Sequence, residues 1–374
     1  MTESEIVAPN NRNAIRFLSE YGSENTIAQH RFVTRDFLGH ALGRLYCDVK
    51  TKKTLTAVTN EELEQVANSY FVSGRDYEQD VKDYNATLQG RPPITVQTYR
   101  SCVKTFLAEN NVEFRDLFWK GLRKKVKGGR RARTIDLVPS NADVQKILVD
   151  LPLHGKCIFL FLLSSGCRIG ETLKLNVADL DFRFDPVRVN ISGEITKTRE
   201  SRTTFISTEC KLVMQEWLEK RQEFMEHRGI PATDTRLFPF QVCVVATLLY
   251  TGLKRANLLE KDPHTNRYRV HLHVFRKFFR TRLGSVMLSD FVEALMGHEE
   301  YLAEVYSRHS IEEIAEKYKE AEHALAIFSD TALETQNLKE RLAEKEKEVS
   351  EQNKKIDSLD SKLTQLMVAL AGKV

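Results

Sequence analysis

Residues 158–171 are Ile158-Phe159-Leu160-Phe161-Leu162-Leu163-Ser164-Ser165-Gly166-Cys167-Arg168-Ile169-Gly170-Glu171. The first six are all apolar, which predicts a helix that is buried on every side. A Ser-Ser-Gly turn then ends the helix and places Arg168 directly after this buried segment. An arginine fork binds phosphate bidentately and stays charged at any working pH. Arg168 is therefore a candidate phosphate ligand.

Three other segments carry side chains of related chemistry. His273 and Arg276 are three residues apart, which brings both onto one face of a predicted helix. His298 follows Gly297 and precedes a tyrosine, Tyr306, and the segment between the arginines contains Lys197. Cations that bind a phosphate, proton donors and a hydroxyl nucleophile are the groups that cut a nucleic-acid backbone without a metal.

The composition excludes several classes of protein. The chain has 374 residues, 41% of them hydrophobic and 29% charged, which is typical of a soluble globular protein with more than one domain. The net charge of +4 is too small to indicate nucleic-acid binding by itself. We find no apolar stretch long enough for a membrane span and no secretion signal, so we expect a cytoplasmic protein, associated with the nucleoid when it is bound to DNA. The six cysteines are scattered without a C-x-x-C and are expected to be reduced thiols, with no metal site.

Changes in pattern along the chain predict five segments. These are a flexible lead-in at 1–11, a helical domain at 12–119, a basic interdomain linker at 120–135, a second domain at 136–330 and a tail at 331–374. In the tail, hydrophobic residues recur every seven positions, which predicts a coiled coil: Leu342, Val349, Ile356, Leu363 and Leu370.

The basic linker has two interpretations. Eight of residues 120–133 are basic, and Gly128-Gly129 indicates a flexible joint. The segment is either a solvated charged linker or a strap that lies on DNA phosphates between two domains. On the second interpretation the DNA-binding residues are Lys120, Arg123, Lys124, Lys125, Lys127, Arg130, Arg131 and Arg133.

The second domain is predicted to be mainly helical with one small sheet. Ser140 or Asn141 is a candidate helix N-cap. Val187, Val189 and Ile191 alternate with other residues, and a second strand-like run follows at 203–206, which predicts a small antiparallel sheet. Helices are predicted again at 209–228 and 274–283. The fold class is therefore mainly α with a small antiparallel β-sheet.

These segments resemble the motifs of the tyrosine recombinase (phage integrase) family of DNA strand-exchange enzymes. The T/S-G-x-R-x-x-E motif matches residues 165–171, and the L-x-x-x-D that follows it matches Leu175 and Asp179. The H-x-x-R motif matches residues 273–276. The L-G-H motif with its later tyrosine matches residues 296–298 and Tyr306, and the β-hairpin lysine matches Lys197. The resemblance covers residues 136–325. Within the family, this sequence is most similar to integrases of archaeal viruses and integrated elements. The N-terminal half is similar to the family's core-binding domain only in size, helix content and order.

The resemblance implies a mechanism. Tyr306 would attack the scissile phosphate and form a 3′-phosphotyrosyl bond, with no metal, nucleotide or other cofactor. Arg168 and Arg276 would clamp the phosphate, and His298 would donate a hydrogen bond to it.

The resemblance also assigns the remaining roles. Lys197 would protonate the leaving oxygen, His273 would assist proton transfer, and Glu171 would orient the site. The implied partners are double-stranded DNA and further copies of the chain, as a tetramer on paired sites.

Several alternatives stay open from the residues alone. Tyr301 is a rival nucleophile, and Arg199 and Arg202 compete with Lys197, because the register of a hairpin cannot be fixed from sequence. A type IB topoisomerase resembles the same site but has a lysine at the position of His273. A catalytically idle DNA-binding protein is the non-enzyme alternative.

Overall fold

The computed structural model describes residues 13–44, 58–129, 134–298 and 309–328. The chain divides into two compact units, residues 1–133 and 134–374. Several predictions lie outside the described residues: the lead-in at 1–11, the coiled-coil tail at 331–374, both candidate nucleophiles Tyr301 and Tyr306, and the basic residues Arg130, Arg131 and Arg133.

The described part of the first unit is helical. A 3-10 helix at Arg16–Glu20 precedes α1 (Glu24–Ala41), α2 (Leu63–Val72), α3 (Tyr77–Thr87), α4 (Pro93–Ala108) and α5 (Asp116–Lys125). Aromatic side chains fill its core, where the fully buried rings of Phe37 and Phe106 lie 6.3 Å apart. Helical content in this half was predicted and is confirmed.

The predicted basic linker is shorter than expected because both of its ends are structured. Residues 120–125 form the end of α5, which turns the buried Trp119 and Leu122 inward. Gly128-Gly129 is not a free joint, since the Gly129 amide donates to the Pro93 carbonyl at 3.1 Å. On the other side, the Ile135 amide donates to Asp262 Oδ2 at 3.1 Å, so the second unit begins before residue 136.

The second unit packs helices around a three-stranded antiparallel sheet, which confirms the predicted fold class. Its helices are α6 (Asn141–Leu148), α7 (Leu153–Ser165), α8 (Ile169–Thr172), α9 (Thr208–His227), α10 (Val242–Arg255), α11 (Leu272–Leu283), α12 (Ser289–Met296) and α13 (Ile311–Ala321), with 3-10 helices at Val177–Asp179 and Glu322–Leu325. The strands are β1 (Leu180–Asp181), β2 (Arg188–Ile191) and β3 (Arg202–Phe205), in the order β1-β2-β3. Val189 pairs with Leu180 on one side and with Thr204 on the other. Ser140, one of the two predicted N-caps, caps α6 in a capping box with Asp143.

The C-terminal end of α7 is where the elements of this unit meet. The last carbonyls of a helix lack intrahelical partners, and here side chains from three other elements supply them. Tyr318 Oη of α13 donates to the Ser164 carbonyl at 2.7 Å, and Thr204 Oγ1 of β3 donates to the Ser165 carbonyl at 2.9 Å. Arg276 Nη1 of α11 donates to the Gly166 carbonyl at 2.5 Å. The buried apolar helix predicted from residues 158–163 is thus confirmed, and its end organises the residues around it.

Gly166 is required at this helix end for two reasons. Its φ is +63°, in the left-handed region, and a Cβ added there would lie 2.5 Å from Phe279 Cδ1. A side chain would therefore be strained by the backbone conformation and would also collide with a buried ring.

No helix within the described ranges is long and apolar enough to span a membrane.

We expect Gly166→Ala to destabilise the protein more than Gly229→Ala. Gly229 has a φ of +64° in the same unit but has open space around its Cβ position. The control carries only the backbone penalty of about 1–2 kcal/mol, whereas Gly166→Ala adds about 1–3 kcal/mol of overpacking. Urea unfolding of both variants measures the difference. Equal losses of unfolding free energy would show that the Phe279 contact is unimportant.

Candidate active site

Arg276 connects the three predicted motif segments. Its guanidinium is buried on α11, and Nη1 donates to the carbonyl of Gly166 while Nη2 donates to that of Met296 at 2.6 Å. Nη2 also lies 3.3 Å from Nε2 of His298. The segments around Arg168, Arg276 and His298 were predicted to converge, and the structure brings them together.

The surroundings of Arg276 are electrostatically positive. Burial, followed by the positive charges of Arg168 and Arg202, lowers the pKa of Arg276 to about 10, and the opposing effect of the Glu171 carboxylate is smaller. An anion bound among these guanidiniums would remove this repulsion. The group is therefore built to bind an anion such as a phosphate.

Glu171 holds two arginines in place. Its Oε1 accepts from Arg168 Nη1 at 2.7 Å, and its Oε2 accepts from Arg202 Nη2 at 2.6 Å. Burial opposes ionisation of Glu171, but hydrogen bonds from Arg202 and Arg168 outweigh it and lower the pKa of the carboxyl group. The Arg168 side chain is 28% exposed, so it can still reach a ligand. The predicted orienting role of Glu171 agrees with these contacts.

Arg202 is a site residue that the sequence did not assign. It lies on β3 with its side chain buried, pairs with Glu171, and donates from Nε to the Leu295 carbonyl at 3.2 Å. We considered it as a rival of Lys197, but these contacts make it a scaffold residue. The sequence does show a basic residue at the start of the second strand of the hairpin. It could not show that Glu171 is the partner of this residue.

His298 lies just after α12 and contacts a buried carboxylate. Its Nδ1 is hydrogen-bonded to Glu293 Oε2, and Glu293 Oε1 accepts from Arg280 Nε at 2.5 Å. The His298 side chain is 40% exposed, whereas Glu293 is buried. Sequence reasoning missed both Glu293 and Arg280.

His273 lies near the start of α11 and is exposed, although part of its side chain is buried. Its ring stacks with that of His271, with centroids 6.5 Å apart, and His271 Nε2 lies 3.2 Å from Asp136 Oδ1. Partial burial lowers the pKa of His273, and the charges of Arg276, His271 and Lys277 lower it further. His273 is therefore neutral at pH 7, the form that can accept a proton.

Lys197 lies in the loop between β2 and β3, where the sequence placed it. Buried Thr196 holds the loop, since its Oγ1 donates to the carbonyls of Gly193 and Glu200, at 3.0 and 3.1 Å. Lys197 itself is exposed, and the neighbouring Arg199 has a positive φ of 60°. The hairpin thus presents Lys197 at the surface on a folded loop.

The described basic residues of the predicted DNA strap are exposed. Lys120, Arg123, Lys124 and Lys125 lie on α5, opposite Trp119 and Leu122, and Lys127 follows the helix. Three of them are in its last turn, where positive charge also stabilises a helix.

No group of three or more His, Cys, Asp or Glu side chains that could hold a metal occurs in the parts of the chain that the structure describes.

Comparison with known proteins finds similarity to one family within the second unit. Residues 140–313 match the model of the phage integrase family. Tyrosine recombinase XerA of Saccharolobus solfataricus is 26% identical over 301 residues, covering 79% of this chain and 86% of the relative. A probable integrase/recombinase of Acholeplasma phage L2 is 28% identical over 173 residues, covering 44% of this chain and 52% of the relative.

Solved structures give weaker similarity. The XerH site-specific recombinase bound to difH substrate has a TM-score of 0.45 at 14% identity, covering 77% of this chain and 95% of that one. The integrase of transposon Tn1549 in complex with circular intermediate DNA has a TM-score of 0.43 at 16% identity, covering 71% and 92%. Both TM-scores are below 0.5, so the family assignment rests on the sequence matches.

We expect Glu171→Gln to lower the free energy of unfolding by about 3–5 kcal/mol at pH 7, because it leaves two arginines at the site without their carboxylate. The folded pKa of Glu171 lies below its ordinary value of 4.5. Its stabilisation is therefore complete above pH 4.5 and is lost as the pH falls through the folded pKa. The difference in the free energy of unfolding between the wild type and Glu171→Gln, measured by urea unfolding, should become smaller below pH 4.5.

Glu216→Gln is the matched control. Glu216 lies on α9 with its side chain 44% exposed, 3.7 Å from Lys220. The control should change the unfolding free energy by less than about 0.5 kcal/mol. A gap between wild type and Glu171→Gln that does not depend on pH would contradict the ion-pair account.

Proposed function

Because residues 140–313 make this chain a member of the phage integrase family of tyrosine recombinases, we propose that it is a site-specific DNA recombinase. It cuts and rejoins DNA strands through a covalent 3′-phosphotyrosyl intermediate, without a metal or a nucleotide. The observation that carries this proposal is the convergence of Arg168, Arg276 and His298 around one positively charged site. The relatives agree with it, since they are named as recombinases and integrases.

The phosphate is held by both arginines. Arg276 is fixed by two carbonyls and supplies positive charge from the buried side of the site, whereas the partly exposed Arg168 contacts the ligand from the surface. Charge that builds up on the non-bridging oxygens during the reaction is stabilised by these preorganised donors, which need no rearrangement. His298 adds a hydrogen bond from Nε2.

Tyr306 is the nucleophile. It is eight residues after His298 and three before His309, whose ring lies 4.8 Å from that of Phe291 on α12. Both histidines that flank residues 299–308 thus belong to the α12 region of the site, and the family's motif spacing favours Tyr306 over Tyr301 as the attacking residue. Its oxygen forms a bond to phosphorus and the 5′-oxygen of the next nucleotide leaves, so a 3′-phosphotyrosine and a 5′-hydroxyl result.

Proton transfer needs a donor and an acceptor. Lys197, on its exposed hairpin loop, gives the leaving 5′-oxygen a proton. His273 is neutral at pH 7 because its pKa is lowered by burial and by nearby cations, so it takes the proton from the Tyr306 hydroxyl or passes it on. Rejoining reverses these steps, with a 5′-hydroxyl from another duplex as the nucleophile.

The remaining partners follow from the reaction. The exposed basic residues of α5 and Lys127 contact DNA phosphates, and Arg130, Arg131 and Arg133 extend this set of contacts along the chain.

Four subunits hold paired DNA sites, and the predicted coiled-coil tail adds a contact between copies. Acting on DNA places the protein in the cytoplasm, associated with the nucleoid. The resemblance of its motifs to integrases of archaeal viruses and integrated elements leads us to expect a mobile element as its source.

Tyr306→Phe should abolish the covalent protein–DNA adduct and leave DNA affinity unchanged, because only the attacking oxygen is removed. The measurement is denaturing electrophoresis after incubation with a nicked duplex from the element's ends. The freed strand should carry a 5′-hydroxyl that a kinase can label.

Tyr301→Phe is the matched control and should keep the adduct. If Tyr306→Phe still forms it and Tyr301→Phe does not, the nucleophile is Tyr301. Relaxation of any plasmid by a monomer, without site preference, would instead favour the topoisomerase alternative.

Lys124→Gln combined with Lys125→Gln should weaken DNA binding at all sequences and reduce its salt dependence. Each phosphate contact contributes about 0.9 to the slope of log K against log salt concentration. The control removes two lysines, Lys82 and Lys220, which pair with acidic neighbours on their own helices. Fluorescence anisotropy at several salt concentrations measures both slopes, and equal slopes for the two double variants would contradict the strap.

A further inference from the structure

Glu293 is a buried carboxylate that the proposed reaction does not use. It contacts His298 through Oε2 and Arg280 through Oε1, with Arg280 Nε at 2.5 Å. Arg280 is one helical turn after Arg276 on α11, and its side chain is 61% exposed. A buried carboxylate is costly unless cations or donors satisfy it, and here one of those partners is a residue of the site.

The contact between Glu293 and His298 is set by the way α12 ends. Gly297 is in the left-handed region with a φ of 77°. The Gly297 amide donates to the Ala294 carbonyl at 2.9 Å, and the His298 amide donates to the Glu293 carbonyl at 3.1 Å. These two bonds form a Schellman motif, in which the side chains five residues apart face each other. The usual apolar pair is replaced by a carboxylate and an imidazole.

We infer that Glu293, held by Arg280, is a positioning residue that sets the tautomer and the orientation of His298. The inference rests on the proposed function. An ionised carboxylate can only accept hydrogen bonds, so Nδ1 of His298 carries a proton and Nε2 is turned toward Arg276 and the phosphate. In the doubly protonated ring, Nδ1–H keeps this contact while Nε2–H can donate to a phosphate oxygen.

The other charged groups around His298 make this carboxylate necessary. Arg276 and Arg280 face it from α11, and Arg202 of β3 lies against Gly297, with its Cδ 2.6 Å from the Cβ position of that glycine. Glu293, from α12, supplies the negative charge among these three arginines and holds the Nδ1 side of His298.

Glu293→Gln tests the role, because glutamine keeps the shape and removes the charge. The rate of single-turnover cleavage of the nicked duplex should fall on the order of 10- to 100-fold, as for other carboxylates that orient a functional histidine. Asp290→Asn is the control, since it removes one exposed charge from the same helix, where Asp290 contacts Ser289. Its rate should match that of the wild type.

A double-mutant cycle with His298→Ala separates positioning from simple support of the fold. If Glu293 acts through His298, adding Glu293→Gln to His298→Ala should cause no further loss of rate. The same fold-loss of rate in both backgrounds would overturn the inference.

Nitrogen-15 NMR of His298 in the full chain without DNA provides a measurement that does not depend on catalysis. The wild type should show a protonated Nδ1 at neutral pH, and Glu293→Gln should show a mixture of tautomers. Identical spectra would overturn the inference even if cleavage is normal. Absence of cleavage by the wild type, with the expected spectra, would instead reject the proposed function and retain the positioning of His298.

Discussion

The buried guanidinium of Arg276 is the interaction on which the site depends. It donates to the carbonyls of Gly166 and Met296, which lie at the C-terminal ends of α7 and α12. Backbone oxygens at such ends lack partners within the helix and carry partial negative charge, so a cation both satisfies and stabilises them. One side chain of α11 therefore joins two helix ends, and the segments that carry Arg168 and His298 are held next to each other. Burying this charge is costly, as the lowered pKa of Arg276 indicates, and an anionic ligand would reduce that cost.

Two buried carboxylates complete the framework without neutralising it. Glu171 contacts Arg168 and Arg202, and Glu293 contacts His298 and Arg280. Each carboxylate uses the side of the cation that faces the protein, so the partly exposed ends of Arg168 and His298 stay available. At Arg276 the positive neighbours still outweigh Glu171. The framework thus fixes the cations against their mutual repulsion and leaves the positive potential that a phosphate requires.

Local patterns in the sequence predicted the elements, whereas tertiary contacts determined what the site residues bind. The apolar run at 158–163 and the alternation at 187–191 were sufficient for α7 and β2. Helix α10 was missed, although its buried Val245, Leu249 and Leu253 are four residues apart, and β1 is too short, at two residues, to form a pattern. Arg202 could not be assigned, because its partners lie 31 and 93 residues away along the chain. The contact of Glu293 was accessible in principle, since Gly297 after a helix implies that residues 293 and 298 meet.

The two motif glycines explain how short segments can determine the geometry of the whole site. Gly166 and Gly297 both follow a helix in the left-handed conformation, and a Cβ at either would collide with a neighbour, Phe279 or Arg202. Each glycine turns the chain sharply where a functional residue follows, Arg168 after one and His298 directly after the other. Because the turn is fixed by backbone hydrogen bonds and by packing, the direction of the following side chain is fixed as well. The positions of Arg168 and His298 are therefore encoded in how α7 and α12 end, and Arg276 connects those two ends.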